Sequence, residues 1–284
     1  MQSFIPSTFK ELHSALSQMT PHSRIVAGGT DYVIQARSLS FQPDALLYLG
    51  NIPELHMVSV SEEELRIGAM VTMEELSHAL SAYPEFLAIV DACQNVGSVQ
   101  VRNKATIVGN LCNASPAGDM LPIAKLYEAR LEIFHFDGKY TYISIDDFIL
   151  GPNKTALTSQ QVVTALVINR KKCNGFISAF RKIGFRDLVS IARVSFGAMM
   201  KLSPDGVIES VRFALGAVSD TPIRVPEAEQ LMTNRAFCDS MCEDISSLIS
   251  EAVHDSCRPA NRLYKTVATR GLAADVFSAL RSRV

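Results

Sequence analysis

Two short stretches of this sequence carry residues that could meet a polar ligand. The first is Val26-Ala27-Gly28-Gly29-Thr30-Asp31; the second runs from Thr106 to Asp119 and reads Thr-Ile-Val-Gly-Asn-Leu-Cys-Asn-Ala-Ser-Pro-Ala-Gly-Asp. In each, an apolar run enters a glycine where bulk vanishes, and hydroxyl, amide and carboxylate side chains follow. Glycine admits positive φ and close backbone approach, so successive N–H groups can form an anion-binding concavity without a cationic side chain. The residue set is that of phosphate and ribose binding. A tight turn with an Asx or Thr backbone bond would account for the first stretch taken alone. The second shifts the balance: Ala114, Pro116, Ala117 and Gly118 are too small to fill a core, whereas Thr106, Asn110, Asn113, Ser115 and Asp119 supply donors and acceptors.

The elements around these stretches follow from periodicity. Thr8-Phe9-Lys10-Glu11 forms a capping box, and Phe9, Leu12, Leu16 and Met19 follow at helical spacing, which predicts an amphipathic helix ending before Pro21. Arg24 to Ala27 is short, β-branched and apolar, a buried strand that ends at Gly28-Gly29; Ala45 to Leu49 reads as another core strand. From about Met57 the pattern becomes strand, charged turn and strand (Met57 to Val60, Leu65 to Ala69), and Thr72-Met-Glu-Glu75 caps a further helix. Ala88 to Val96 reads as a buried helix, and Gln100 to Lys104 as a polar and basic link into the second glycine stretch. The Asp137-Gly138 turn between Leu131–Phe136 and Tyr140–Ile143 predicts a hairpin. Val162 to Ile168 is apolar, and Lys171 to Gly175 marks a boundary. Beyond it come strands at Phe176–Ile183, Val194–Leu202 and Val207–Leu215, then helix to the end.

Composition excludes several classes. The 284 residues suffice for one large or two to three small domains with their own cores. Net charge is −2 with Lys and Arg dispersed, so there is no electrostatic footprint for nucleic acid or an anionic membrane. No basic start with an apolar run and no spanning stretch occurs, so a cytoplasmic protein is expected. The six cysteines are scattered without a Cys-x-x-Cys, which suits reduced core thiols and no iron–sulfur cluster of the chain's own; the six histidines are never at ligand spacing, so no metal site is expected. Rossmann, P-loop, zincin and nucleophile-elbow signatures are missing.

The two glycine stretches together closely resemble the FAD-binding (medium) subunit of molybdenum hydroxylases, the xanthine dehydrogenase and carbon monoxide dehydrogenase flavoprotein family. Leu65-Arg-Ile-Gly-Ala69, Val101-Arg-Asn-Lys-Ala105, Phe180-Arg-Lys-Ile-Gly184, and Arg258, Tyr264 and Lys265 in that order extend the likeness over essentially the whole chain. The resemblance implies an α+β protein: a two-lobed FAD-binding domain resembling the vanillyl-alcohol-oxidase-like fold at 1–172, with lobes of about 1–55 and 56–172, and a C-terminal α+β domain at 173–284. It implies that Ile25, Val26, Ala27, Gly28, Gly29, Thr30 and Asp31 line the FAD pyrophosphate and neighbouring ribityl. Thr106, Ile107, Val108, Gly109 and Asn110 would hold the other side of the diphosphate, and Ser115 and Asp119 would bond the polar part of the cofactor. Val163 would wall the adenine, and Lys182 would bring a cation near the flavin, raising its potential. No side chain need act as a catalytic acid or base.

The family further implies partner subunits, one carrying a 2Fe–2S cluster and one the molybdenum cofactor, with electrons passing through FAD to NAD+ or another acceptor. The sequence departs from the family pattern at four points. Val108 replaces the first glycine of a usual Gly-Gly-Asn, Ser190 stands where Asp is common, Pro259 occupies a small polar position, and Val96 replaces an aromatic residue of some relatives. Two alternatives share the fold: a free-standing flavin reductase or oxidase, for which Glu74, Glu75 and Tyr48 would be the candidate acid–base residues, and a flavin-free assembly subunit.

Overall fold

The computed structural model of the chain describes residues 1–37, 42–186 and 189–284. The N-terminal strands Gln2–Phe4, Ala45–Tyr48 and Arg24–Val26 form a parallel sheet with Ala45–Tyr48 at its centre. Parallel pairing requires crossovers. The first is the helix Phe9–Leu16, where Thr8 Oγ1 accepts the Glu11 N–H at 3.2 Å and Leu12, Ala15 and Leu16 are buried. The helix stops at Leu16, earlier than the spacing of Met19 implied; Met19 still enters the core from the turn that follows. The expected Arg24–Ala27 strand is present as Arg24–Val26, but it lies half-buried at the edge of the sheet and not buried, because only Ala45–Tyr48 has neighbours on both sides; the chain leaves it through Gly28-Gly29 into the short helix Tyr32–Ala36.

A second sheet holds five antiparallel strands in the order Val58–Val60, Glu64–Gly68, Gln161–Asn169, Arg130–His135 and Tyr140–Ser144. Its last two strands are the hairpin that Asp137-Gly138 predicted, with Gly138 at φ +80°. The central strand Gln161–Asn169 is buried along nearly its whole length, as a strand flanked on both edges should be. The helices Met73–Leu80, Leu87–Asn95, Ile107–Asn113 and Met120–Leu126 pack into the same core. Thr72 caps the first of these in a complete capping box with Glu75. The polar link at Gln100–Lys104 begins as a helical turn, Val99–Arg102, capped by Ser98 Oγ.

The C-terminal part is an antiparallel meander, Phe176–Ile183, Val194–Leu202 and Ile208–Gly216, covered by the helices Pro226–Met232, Asp239–Ser256 and Arg262–Arg281. Strand alternation gives Phe176–Ile183 two faces. Phe176 and Phe180 join the core of the N-terminal part, while Ile177, Ala179 and Ile183 join that of the C-terminal part. This strand is therefore the joint between the two cores.

Candidate functional site

The two glycine stretches meet in space. A Cβ on Gly28 would lie 1.7 Å from the Lys104 carbonyl oxygen, so only glycine lets the first loop press against the backbone that leads into the second. Gly29 sits at φ +72°, the left-handed region that L side chains avoid. From the other side, a Cβ on Gly109 would stand 2.8 Å from Thr106 Oγ1 and 4.0 Å from the Ala27 Cβ.

The second stretch is a helix, Ile107–Asn113, with Gly109 in its first turn. Thr106 is its N-cap, its Oγ1 accepting the Gly109 N–H at 3.0 Å. The N–H groups of Ile107 and Val108 have no acceptor within the helix. The helix is closed by Ala114 in the left-handed conformation at φ 48°.

Between the loops lies a cavity of about 630 Å³. Ile25, Val26, Ala27, Gly28, Gly29, Thr30 and Asp31 all line it, as do Thr106, Val108, Gly109, Asn110 and Val163. Asp31 Oδ2 accepts a hydrogen bond from Gln35 Nε2 at 2.5 Å, and Asn110 Oδ1 accepts the Met120 N–H at 3.3 Å, holding the Ala114–Asp119 turn in place. Four of the residues singled out in the sequence do not line it. Ile107 is fully buried in the core, Ser115 holds the turn by accepting the Gly118 N–H on its carbonyl, and Asp119 and Lys182 pair with each other.

Asn113, named in the sequence as a donor and acceptor, also lines the wall, as do residues that local sequence did not single out. Val162 and Leu157 come with the central strand and the loop before it, Cys112 from the second turn of the glycine helix, and Asn153 from a loop tied to Ala114 by its N–H. Asn153, at φ 54°, takes a left-handed backbone position that asparagine accepts more readily than other non-glycine residues. Burial pushes the Cys112 thiol up to about 12, so it is protonated at neutral pH. Tyr48, Glu74 and Glu75 lie off the wall; Glu75 is spent in its capping box and Glu74 pairs with Arg102 at 3.0 Å. These acid–base candidates for a free-standing enzyme therefore do not face the cavity.

The Asp119–Lys182 pair joins the two parts of the chain, Nζ to Oδ2 at 2.5 Å, with side chains only 7% and 8% exposed. Burial raises the Asp119 carboxyl to about 6 and outweighs the opposing pull of Lys182. Its Oδ1 finds no partner among the described residues. A carboxyl raised on folding contributes stability that is present below its unfolded value, 3.8, and lost as the pH rises through about 6. Asp119→Asn is therefore expected to flatten the pH dependence of unfolding between pH 4 and 6, by on the order of 2 kcal/mol. Urea titrations across that window check this; an unchanged slope would place the titration elsewhere.

Among the described residues there is no cluster of His, Cys, Asp or Glu able to hold a metal ion, and no helix is long and apolar enough to cross a membrane.

Residues 1–170 match the family described as the FAD binding domain in molybdopterin dehydrogenase, and residues 178–280 that described as the carbon monoxide dehydrogenase flavoprotein C-terminal domain. The chain belongs to this flavoprotein family of molybdenum hydroxylases, as an oxidoreductase subunit whose cofactor is FAD. It is 26% identical over 279 residues to the nicotinate dehydrogenase FAD-subunit of Eubacterium barkeri, covering 96% of this chain and 94% of that one. It is 28% identical over 235 residues to the xanthine dehydrogenase FAD-binding subunit of Escherichia coli O157:H7, covering 80% of each. The fold is that of a chain in carbon monoxide dehydrogenase from Hydrogenophaga pseudoflava, with a TM-score of 0.88 at 23% identity over 100% of this chain and 98% of that one.

Proposed function

We propose that this chain holds FAD in the cavity between its glycine stretches and serves as the electron-transfer subunit of a molybdenum hydroxylase. In that assembly a 2Fe–2S partner subunit delivers electrons that began at the molybdenum cofactor of a large subunit, and NAD+ or another acceptor removes them. The observation that carries the reading is the contact of Gly28 with the Lys104 carbonyl, which brings two glycine segments distant in sequence onto one cavity.

The cavity suits the cofactor. Its volume falls within the range of about 300–1,000 Å³ typical of cofactor and ligand sites. The two loops offer main-chain N–H groups and the hydroxyls of Thr30 and Thr106, which meet a diphosphate by dipoles. Val162, Val163 and Leu157 form an apolar wall suited to a heterocycle. Asp119, with an unsatisfied buried oxygen, and Lys182 pair with each other off the cavity lining, and the family resemblance is what assigns this pair to the flavin end of the site. Bound FAD supplies a two-electron store that fills one electron at a time and empties by hydride or single-electron transfer. The chain's own residues position it, shield it from water and set its potential.

Gly29→Trp is expected to fill the cavity and release the flavin while leaving the protein folded, read as flavin fluorescence after denaturing the purified protein. Full flavin content in this variant would overturn the placement. Affinity purification of the tagged chain from its native host, followed by metal analysis, tests the partners. Molybdenum, iron and acid-labile sulfide in the isolated complex are expected, and a flavin-bearing chain isolated without them would favour a free-standing enzyme.

A further inference from the structure

The strand Phe176–Ile183 is anchored to the N-terminal part at alternate positions along one face. At the first, Ser178 Oγ accepts the Ala88 N–H and the Tyr127 hydroxyl, each at 2.9 Å. At the last, Lys182 meets Asp119. Between them the anchor is main chain: the Phe180 N–H donates to Asp91 Oδ2 at 3.0 Å. The strand is an edge of its sheet, so this outward N–H has no neighbouring strand to bond.

Asp91 sits on the helix Leu87–Asn95 and is itself held tightly. Arg181 Nη1 donates to its Oδ2 at 3.0 Å, and Arg283 Nη2 to its Oδ1 at 2.8 Å. Arg283 also reaches the Ser178 carbonyl on the same strand. The carboxylate is thus 12% exposed and has charged donors on both oxygens. That is a rigid fixture for one backbone N–H, two residues before the lysine.

We propose that Asp91 is a positioning residue for Lys182. By gripping the Phe180 N–H it fixes the strand against the helix and so delivers the Lys182 ammonium to Asp119 at the flavin end of the site. The proposal rests on the reading of Lys182 given under Proposed function.

The sign of one measurement separates this role from a simple charge effect. Deleting a nearby negative charge favours a more reduced, more anionic flavin and raises its potential; displacing the Lys182 cation lowers it. The flavin midpoint potential is therefore measured on the full-length, FAD-loaded protein for Asp91→Ala, Asp91→Asn, Lys182→Gln and the double variant Asp91→Ala/Lys182→Gln. Asp91→Leu, branched at the same position but larger and without an acceptor, is measured in parallel should Asp91→Ala fail to fold.

Lys182→Gln is expected to lower the potential by about tenfold in the reduction equilibrium constant, ~30 mV for a two-electron couple. Asp91→Ala or Asp91→Leu is expected to lower it by a similar factor, with no further loss in the double variant. Asp91→Asn keeps an oxygen for the Phe180 N–H and is expected to stay at or slightly above the native value. A potential that rises or stays unchanged in Asp91→Ala and Asp91→Leu, while Lys182→Gln lowers it, overturns the positioning role alone. A Lys182→Gln potential equal to the native one overturns the reading of Lys182 and the proposal with it.

Discussion

Gly28→Ala is expected to give a folded protein that does not retain flavin. The added Cβ would fall 1.7 Å from the Lys104 carbonyl oxygen, about half the distance of an ordinary carbon–oxygen contact. A clash with a flexible side chain could be relieved by a rotamer change, but here the obstacle is main chain. It lies between the helical turn Val99–Arg102 and Thr106, the N-cap of Ile107–Asn113. The loops must part, and the cost of overpacking, about 1–3 kcal/mol, falls on the geometry that shapes the cavity. A loss of 3 kcal/mol in binding corresponds to roughly 150-fold in affinity. The expected result is a flavin-to-protein absorbance ratio near zero after gel filtration with a native far-UV circular dichroism spectrum. Gly29→Ala provides the contrast: its new Cβ meets only Val26 Cγ1 at 3.8 Å, so the cost is the positive φ alone, about 1 kcal/mol, and flavin is retained. Stoichiometric flavin in Gly28→Ala would mean that the loop contact does not shape the site.

Lys182→Met is expected to destabilise the protein in a pH-dependent way. Removing one member of a buried ion pair usually costs about 3–5 kcal/mol, because the other charge is left without compensation. Asp119 has an escape, since burial already raises its carboxyl to about 6 and loss of Lys182 raises it further. At pH 5 the carboxyl protonates and the loss is small. At pH 8 it must either remain charged and unpaired or take up a proton against the solution, and a loss of about 3 kcal/mol is expected. Urea unfolding of native and variant proteins at the two pH values checks this. The further change Asp119→Leu in the Lys182→Met background is expected to recover most of the stability at pH 8, because no buried charge then remains. An equal loss at both pH values would mean that Lys182 contributes through packing of its stem rather than through its charge.

The features legible in the sequence are those whose physical cause is local. Thr72 and Glu75 cap a helix through residues three apart, and Asp137-Gly138 closes a hairpin because only a few residue types accept that turn. Gly29 marks the first loop for a local reason, its positive φ, whereas the requirement at Gly28 comes from the distant Lys104 carbonyl. The helix formed by Ile107–Asn113 was harder to read, since Gly109 is a poor helix former and Val108 is β-branched; Thr106 as N-cap and the packing of Ile107 and Leu111 override both. The roles of Leu157, Val162 and Asn153 in the cavity wall carried no local signature. Each is placed by strand pairing or by a loop tied to a distant carbonyl.

By itself the sequence determined where the chain turns, which faces are apolar, and which two segments lack the bulk to fill a core, because these depend on interactions within a few residues. Tertiary structure alone decided that Gly28 rests on Lys104, that Asp91 grips the Phe180 N–H, and that Lys182 meets Asp119 out of reach of water. Those contacts join segments far apart in the chain. The raised protonation of Asp119 has the same origin, for desolvation is imposed by the surrounding packed residues and is carried by no residue type on its own.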